Sequence, residues 1–115
     1  MNAPEAFQRS HLGEMQAHAQ EAAQLLKAMA NEYRLQILCH LAEGEASVGE
    51  LNEYIDLSQS SLSQHLAVLR EYGVVETRRQ SQTIYYRLAD GPAMRVMQSL
   101  YDAYCAPGRR KHRRR

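Results

Sequence analysis

The chain has no long apolar run, no internal repeat and only two cysteines among its 115 residues. Without a run of about 20 apolar residues, no segment is expected to span a membrane. Two thiols far apart in the sequence do not form the disulfide framework of a small secreted scaffold. The first ten residues, MNAPEAFQRS, lack the basic-then-apolar pattern of a signal peptide, so we expect a cytoplasmic location.

The length fits one domain, small enough that dimerisation would help to stabilise it. No coiled coil and no second domain are indicated. Positive charge is concentrated at the C-terminus, because six of the residues 109–115 are Lys or Arg, whereas the other 108 residues hold 8 basic and 13 acidic side chains. We expect residues 106–115 to form a disordered basic tail that contacts phosphates without reading sequence. A solubilising or non-native extension is the alternative.

Apolar periodicity predicts two helices in the first part of the chain. Residues 1–14 show no pattern and are expected to be flexible. The first helix is predicted over residues 15–29 and the second from about residue 31 to residue 42. Gly44 follows the second helix, as glycine commonly does just past a helix end. A folded domain is therefore expected over residues 15–105.

Capping residues mark the next two helices. Ser47 and Glu50 have the S-x-x-E spacing of a capping box and begin a short third helix. Ser58 is placed to cap a fourth helix over residues 59–72, which Gly73 ends. The third and fourth helices are thus separated by a tight turn.

The remainder predicts a hairpin and a last helix. Residues 74–79 and 83–88 are rich in β-forming side chains and flank a short turn at residues 80–82. A final helix is predicted over residues 92–105. The fold class is therefore mainly α with a β-hairpin, in the order of four helices, two strands and a fifth helix.

The fourth helix has an unusual outer face. Leu62, Leu66 and Leu69 form its apolar stripe, whereas small hydroxyl and amide side chains occupy the opposite side. Long charged side chains, which normally cover a solvated helix, are scarce there. Such a face suits a helix inserted into the DNA major groove, where Gln and Ser read base edges. A polar helix without function is the alternative.

Helix four followed by a hairpin resembles a winged helix-turn-helix, and the string LSQSSLSQHLAVLREYGVVETRR…IYYRL resembles the ArsR/SmtB family of dimeric bacterial repressors. The resemblance covers about residues 20–105. It implies a homodimer built by the first and last helices, whose recognition helices enter successive major grooves of an inverted-repeat DNA operator. The implied DNA-binding residues are Gln59, Ser60, Ser61, Ser63, Gln64 and, on the wing, Arg78, Arg79 and Gln82. His65 belongs to the same motif and either braces the helix or contacts DNA.

The metal sites known in that family are not matched by this sequence. The arsenic-sensing C-x-C motif falls on residues 47–51, which hold no cysteine, and the last helix carries Asp102 but no histidine for zinc or cobalt. His11, Glu14 and His18 share one helix face, but one helix does not complete a tetrahedral zinc shell. We therefore expect neither a metal site nor a cofactor.

The two thiols, Cys39 and Cys105, remain as candidate sensors. Free cysteine is often simply buried, so a core role is open for each. The chain also resembles the BigR/SqrR type of sulfide-responsive repressors, and the related HlyU-like regulators, through this cysteine pair and the stretch LAEGEASVGEL. The resemblance implies that persulfide or polysulfide links the thiols and weakens operator binding. A general peroxide or disulfide response without sulfur specificity is the alternative, followed by a metal-responsive repressor.

Two other function classes fit the sequence less well. A two-cysteine peroxide reductase needs an activated thiol in an electropositive pocket, and only His40 lies beside either cysteine as a possible cation. An interaction module that has lost DNA binding conflicts with the intact Gln and Ser face. We therefore expect a DNA-binding regulator and not an enzyme.

Overall fold

The computed structural model describes residues 11–105, so the expectations for residues 1–10 and for the basic tail 106–115 fall outside the described part. Five helices and three strands follow in chain order: α1 Leu12–Met29, α2 Glu32–Glu43, β1 Ala46–Ser47, α3 Val48–Asn52, α4 Gln59–Glu71, β2 Val75–Gln80, β3 Thr83–Leu88 and α5 Pro92–Tyr104. The winged helix-turn-helix prediction is confirmed. In residues 11–105 no helix is both long and apolar enough to cross a bilayer.

The first helix begins earlier than its apolar pattern predicts. It starts at Leu12 rather than residue 15, and Glu14 lies in its first turn, where a negative charge complements the helix dipole. The apolar stripe of α1 is covered only at its C-terminal end, since Ala28 and Met29 are buried whereas Leu26 is 52% exposed.

Side-chain caps fix the starts of the next three helices. The Asn31 side chain accepts hydrogen bonds from two backbone N–H groups of α2. The predicted capping box of α3 is present, with Ser47 Oγ accepting from the Glu50 N–H and the Glu50 carboxylate accepting from the Ser47 N–H. Ser58 Oγ accepts from the Ser61 N–H at the start of α4, as predicted.

The end of α4 is closed by the predicted glycine. Gly73 has a φ of +73°, a conformation that other residues rarely adopt. The Val74 N–H then donates to the Leu69 carbonyl at 2.8 Å, and the Gly73 N–H donates to the Arg70 carbonyl. These two bonds form a Schellman motif, which turns the chain from α4 directly into the wing.

The wing belongs to a three-stranded antiparallel sheet in the order β1-β3-β2, not to a two-stranded hairpin alone. β1 pairs Ala46 with Tyr86 and Ser47 with Tyr85. A two-residue strand is too short to show alternation in the sequence, and Ser47 also serves as the cap of α3. β2 and β3 are joined through a tight turn at Ser81 and Gln82, where Ser81 has a φ of +57°.

The core lies beneath α4. The three leucines of the α4 stripe, Leu62, Leu66 and Leu69, are fully buried. They belong to one apolar cluster with side chains of α2, of α3 and of the segments that follow α3 and α4, the most buried of which are Ile37, Leu38, Leu51, Ile55 and Val74. Because α4 packs on its apolar stripe, its polar face points away from the body.

Candidate DNA interface and thiol pocket

The predicted base-reading residues lie in the first two turns of α4. The side chains of Gln59, Ser60, Ser63 and Gln64 are exposed, whereas Ser61 is half-buried beside the cap. Ser58 Oγ lies 3.4 Å from Ser60 Oγ, which orders the start of this surface. These side chains offer neutral donors and acceptors, the groups that distinguish base pairs in the major groove.

His65 follows these residues but is turned towards α2. Its side chain is half-buried, with Nδ1 3.2 Å from Arg34 Nη1 and its ring centroid 6.1 Å from that of Tyr33. Burial lowers the pKa of His65, and the charge of Arg34 lowers it further. Both effects favour the neutral ring, which braces α4 through one of its nitrogens.

On the wing, Arg78 is held by an acidic residue that the sequence analysis missed. Its Nε donates to both carboxylate oxygens of Glu45 at 2.9 Å, and its Nη2 donates to the same carboxylate. Nη1 donates to Gln80 at 2.9 Å, and the guanidinium lies 4.8 Å from the centre of the Tyr85 ring. The hydrogen bond to Arg78 lowers the pKa of Glu45 and raises that of Arg78.

The other wing residues are more open. Arg79 and Gln82 are exposed, and Arg79 is opposite Ile84, so it faces the other side of the sheet from Arg78. Within residues 11–105, Arg79 forms no ion pair, whereas Arg87 pairs with Glu76 across the hairpin. Of the two predicted wing arginines, Arg78 is thus paired with Glu45, whereas Arg79 has no ion pair within residues 11–105.

The two cysteines meet at one pocket of about 220 Å³ between α2 and α5. Both are free and exposed, so neither thiol has the buried core role that its residue type left open. The pocket wall is otherwise apolar and aromatic, formed by Leu35, Met97, Leu100, Tyr101 and Tyr104. Both thiols are therefore open to solvent.

The environment of Cys39 makes its thiolate less stable. Partial burial raises the pKa of Cys39, and the negative charges of Cys105 and Glu43 raise it further. Cys105 acts on Cys39 in this way because both residues line the same pocket. Attack by Cys39 therefore becomes faster as the pH rises, since the thiolate is the nucleophile.

Metal-ligating side chains are dispersed in the described part of the chain. Residues 11–105 hold no group of three or more His, Cys, Asp or Glu side chains close enough to share an ion. His18 instead contacts Glu21, with Nδ1 3.3 Å from Oε1 on an exposed helix face. The two thiols therefore remain the candidate sensing residues of this region.

Comparison with known proteins agrees with this geometry. A family profile described as bacterial regulatory protein, arsR family, matches residues 31–77, which run from the cap of α2 into the wing. The biofilm growth-associated repressor of Agrobacterium fabrum is 50% identical over 93 residues, covering 81% of this chain and 80% of that protein.

Two solved structures extend the agreement to the fold. Reduced HlyU from Vibrio cholerae is 50% identical with a TM-score of 0.77, covering 83% of this chain and all of that one. The transcriptional repressor BigR from Xylella fastidiosa is 47% identical with a TM-score of 0.74, covering 82% of this chain and 96% of that one. The chain therefore belongs to the ArsR family of DNA-binding transcriptional regulators, close to the BigR repressors and HlyU.

Proposed function

We propose that this protein is a dimeric transcriptional repressor that releases its operator when reactive sulfur links Cys39 to Cys105. The observation that carries the proposal is the shared pocket, because both thiols of the chain line it, one from α2 and the other from the C-terminal end of α5. Such a regulator works beside the DNA in the bacterial cytoplasm, where reducing conditions keep the thiols free.

Unpartnered apolar side chains support the dimer. Large hydrophobic residues on α1 and α5 are exposed in the single chain, namely Leu12, Met15, Leu26, Met94, Tyr101 and Tyr104. Exposed apolar patches of this kind commonly mark a protein interface. A second copy packed on α1 and α5 covers them and gives the two-fold symmetry that an inverted repeat requires.

The DNA contact is proposed for α4 and the wing. With two recognition helices in a symmetric dimer, the half-sites lie one helical turn, about 34 Å, apart. Gln59, Ser60, Ser61, Ser63 and Gln64 read bases, while Arg79 and Gln82 contact the backbone. Arg78 joins them only by exchanging Glu45 for a phosphate, and the basic tail adds contacts that do not depend on sequence.

The sulfur chemistry balances without an external oxidant. Each cysteine thiolate attacks the terminal sulfur of a small persulfide, forms a cysteine persulfide and releases the small thiol. The Cys39 persulfide anion then attacks the sulfur bonded to Cβ of Cys105 and expels hydrosulfide, which leaves a trisulfide. Two thiols and two persulfides thus give one trisulfide, two small thiols and one hydrogen sulfide.

The length of the bridge provides selectivity. A disulfide requires Cα atoms within about 7 Å, and each inserted sulfur lengthens the link by about 2 Å. We propose that the two cysteines lie beyond the reach of a disulfide in the reduced protein, so that a trisulfide closes the pair more easily than a disulfide does. Peroxide, which supplies no sulfur, closes it less readily.

The bridge affects DNA because it joins a helix of the proposed dimer interface to a helix that packs under the reader. Tying α2 to α5 changes the spacing of the two recognition helices relative to the fixed half-sites. Coupling energies for such switches are typically about 1–3 kcal/mol, so we expect about 5–150-fold weaker operator binding.

Mass spectrometry and DNA binding together test this function. Reduced protein is treated with glutathione persulfide, hydrogen peroxide or diamide, and its affinity is measured on an inverted-repeat duplex selected from a random library by the wild-type protein. We expect an intramolecular Cys39–Cys105 link with added sulfur and loss of binding only with persulfide. Cys39→Ser and Cys105→Ser should bind DNA but not respond.

The same experiment separates the alternatives. A Cys39→Ser protein that still releases DNA on persulfide treatment contradicts the dithiol switch. Equal release with diamide and persulfide identifies a general thiol-redox regulator, which the exposure of both cysteines also permits. A further arm adds zinc to the reduced protein, and release of DNA in that arm identifies a metal-responsive repressor instead.

A further inference from the structure

Arg34 joins three helices through one guanidinium group. It lies in the first turn of α2 and is half-buried. Its Nε donates to the carbonyl oxygen of Ala28 at 2.6 Å, and its Nη1 lies 3.2 Å from Nδ1 of His65 on α4. Ala28 lies in the last turn of α1, where carbonyl groups lack partners within the helix.

The chemistry of the pair fixes the state of the histidine. A guanidinium group has only N–H donors and is not deprotonated in proteins, so it accepts no hydrogen bond. Nδ1 of His65 must therefore offer a lone pair, and the ring proton must reside on Nε2. A doubly protonated ring would place two positive charges at this contact with no acceptor between them.

We infer that Arg34 is a positioning residue that holds His65 as the neutral Nε2–H tautomer and thereby fixes the recognition helix against α1 and α2. The inference deepens the proposed function, on which its consequence for DNA binding rests. The sequence leaves two roles open for His65, bracing the helix and contacting DNA, and each role then belongs to a different ring nitrogen. Nδ1 braces the helix, and Nε2–H remains as the donor available to a DNA oxygen.

The position of this contact gives it influence over base reading. His65 directly follows Ser63 and Gln64 in the chain, so holding its ring limits rotation of α4 about its own axis. On the other side of the contact, α2 also carries Cys39 and α1 carries exposed apolar residues proposed for the dimer. A displacement of α2 by the thiol bridge therefore reaches the readers through the Arg34–His65 hydrogen bond.

The environment of the ring agrees with a neutral histidine. Arg34 and Tyr33, both from α2, are the ionisable groups that contact or face His65 in the described part of the chain. Neither carries a negative charge that would stabilise the imidazolium form. The pKa of His65 is lowered by burial and by Arg34, in the same direction.

Nitrogen-detected NMR of the free, reduced protein tests the tautomer without DNA. We expect the His65 ring to show a protonated Nε2 and an unprotonated Nδ1 at neutral pH, with the signals assigned by their loss in His65→Asn. Arg34→Leu should give a mixture of tautomers and raise the pKa of His65, and Arg34→Lys should restore part of the wild-type pattern. A protonated Nδ1 in the wild type, or an unchanged tautomer in Arg34→Leu, overturns the inference.

A double-mutant cycle tests the positioning role. We expect Arg34→Leu to weaken binding to the selected duplex at least tenfold, and the Arg34→Leu/His65→Ala protein to bind no more weakly than the poorer single variant. Arg95→Leu, which removes an exposed arginine of α5, is the matched control and should bind as the wild type does. Additive losses in the double variant overturn the positioning role. If Arg34→Leu fails to fold, the Arg34→Lys and His65→Asn proteins supply the cycle.

The NMR result does not depend on the thiol switch or on operator binding. The wild type could show the expected tautomer while Arg34→Leu binds the duplex with unchanged affinity. That result would confirm the tautomer but refute the transmission of a displacement from α2 to α4 through this contact. Failure of the wild type to select any duplex would instead refute the proposed function. The two failures are therefore distinguishable.

Discussion

The helix-turn-helix formed by α3 and α4, where base reading is proposed, and the thiol pocket beside α5 are built in opposite ways. α3 and α4 begin at side-chain caps, α4 ends in a Schellman motif, and its three leucines are fully buried. α5 begins without a capping side chain, and its C-terminal tyrosines, Tyr101 and Tyr104, are 53% and 65% exposed around an open pocket. The comparison shows that fixed geometry is concentrated where base reading is proposed, and accessibility where sulfur chemistry is proposed.

This difference has a physical basis. Base recognition depends on side chains held in one geometry, which close packing and satisfied backbone groups provide. A sensing site requires access for its reagent and helices that can shift when a bond forms. Regions with few buried apolar contacts supply that freedom, because they open at a lower free-energy cost than the core.

The reading surface should show the largest effect. Replacing Ser63 and Gln64 together by Ala removes two base-reading side chains and should cost about 2–6 kcal/mol of operator binding, at about 1–3 kcal/mol for each contact. Fluorescence anisotropy on the selected duplex measures the loss, and circular dichroism checks the fold. Gln36→Ala, on the exposed side of α2, is the control. Wild-type affinity in the double variant would show that another surface reads the operator.

The same truncation in the two regions should differ in its effect on stability. Leu66→Ala removes a side chain with no exposed surface and should lower the free energy of unfolding by about 2–5 kcal/mol. Leu100→Ala, at the half-buried wall of the thiol pocket, should cost less than half as much. Urea denaturation at matched protein concentration compares them. Equal losses would mean that the two regions are equally well packed.

Removal of a helix cap should have a moderate effect. Ser58→Ala leaves the Ser61 N–H without its side-chain acceptor and should lower the free energy of unfolding by about 1 kcal/mol. Ser99→Ala, an exposed position within α5, should change it little, because alanine favours helix interiors. Thermal unfolding of both proteins gives the comparison. An unchanged free energy of unfolding in Ser58→Ala would show that this cap does not stabilise α4.

The ion pair on the wing should have a smaller effect. Glu45→Gln frees Arg78 and removes a negative charge, so it should strengthen binding to all DNA sequences. The slope of log affinity against log salt should steepen by about 1, as expected for one added phosphate contact. Glu76→Gln, which releases Arg87 from the other wing ion pair, is the matched control. An unchanged salt slope in Glu45→Gln would show that the released Arg78 does not contact DNA.

The raised pKa of Cys39 gives a pH-dependent rate. Iodoacetamide should modify Cys39 more slowly at neutral pH than it modifies a free cysteine, and the rate should rise through a midpoint above about 8.5, the usual thiol value. Because the Cys105 thiolate contributes to the shift, Cys105→Ser should lower the midpoint without abolishing the shift due to burial. A midpoint that Cys105→Ser leaves unchanged would show that the thiols do not interact.

Local patterns predicted most of the fold. The helices, the Ser47–Glu50 capping box, the Ser58 cap and the glycine stops all depend on residues near one another in the chain, and the structure confirms them. The start of α1 was predicted three residues late, because the apolar stripe begins after the helix does. β1 was not predicted, because its two residues form a strand only through their pairing with β3.

The site was less predictable because its contacts join distant segments. Glu45 and Arg78 are 33 residues apart, and only the pairing of the strands brings them together. Arg34 and His65 likewise meet through the packing of α2 on α4. The meeting of Cys39 and Cys105 was expected from family resemblance, whereas the residues alone left a buried role open for each thiol.

The third strand, β1, connects the wing to the helix-turn-helix and should make the wing more stable. An isolated two-stranded hairpin is at best marginally stable, but β3 lies between β2 and β1, which continues directly into α3. The amide protons of Tyr85 and Tyr86 should therefore exchange with solvent water at the slow rate set by unfolding of the helix-turn-helix, while those at Ser81 and Gln82 exchange as in a free loop. We therefore expect the wing to unfold together with the helix-turn-helix, and to stay rigid for as long as α3 and α4 stay folded.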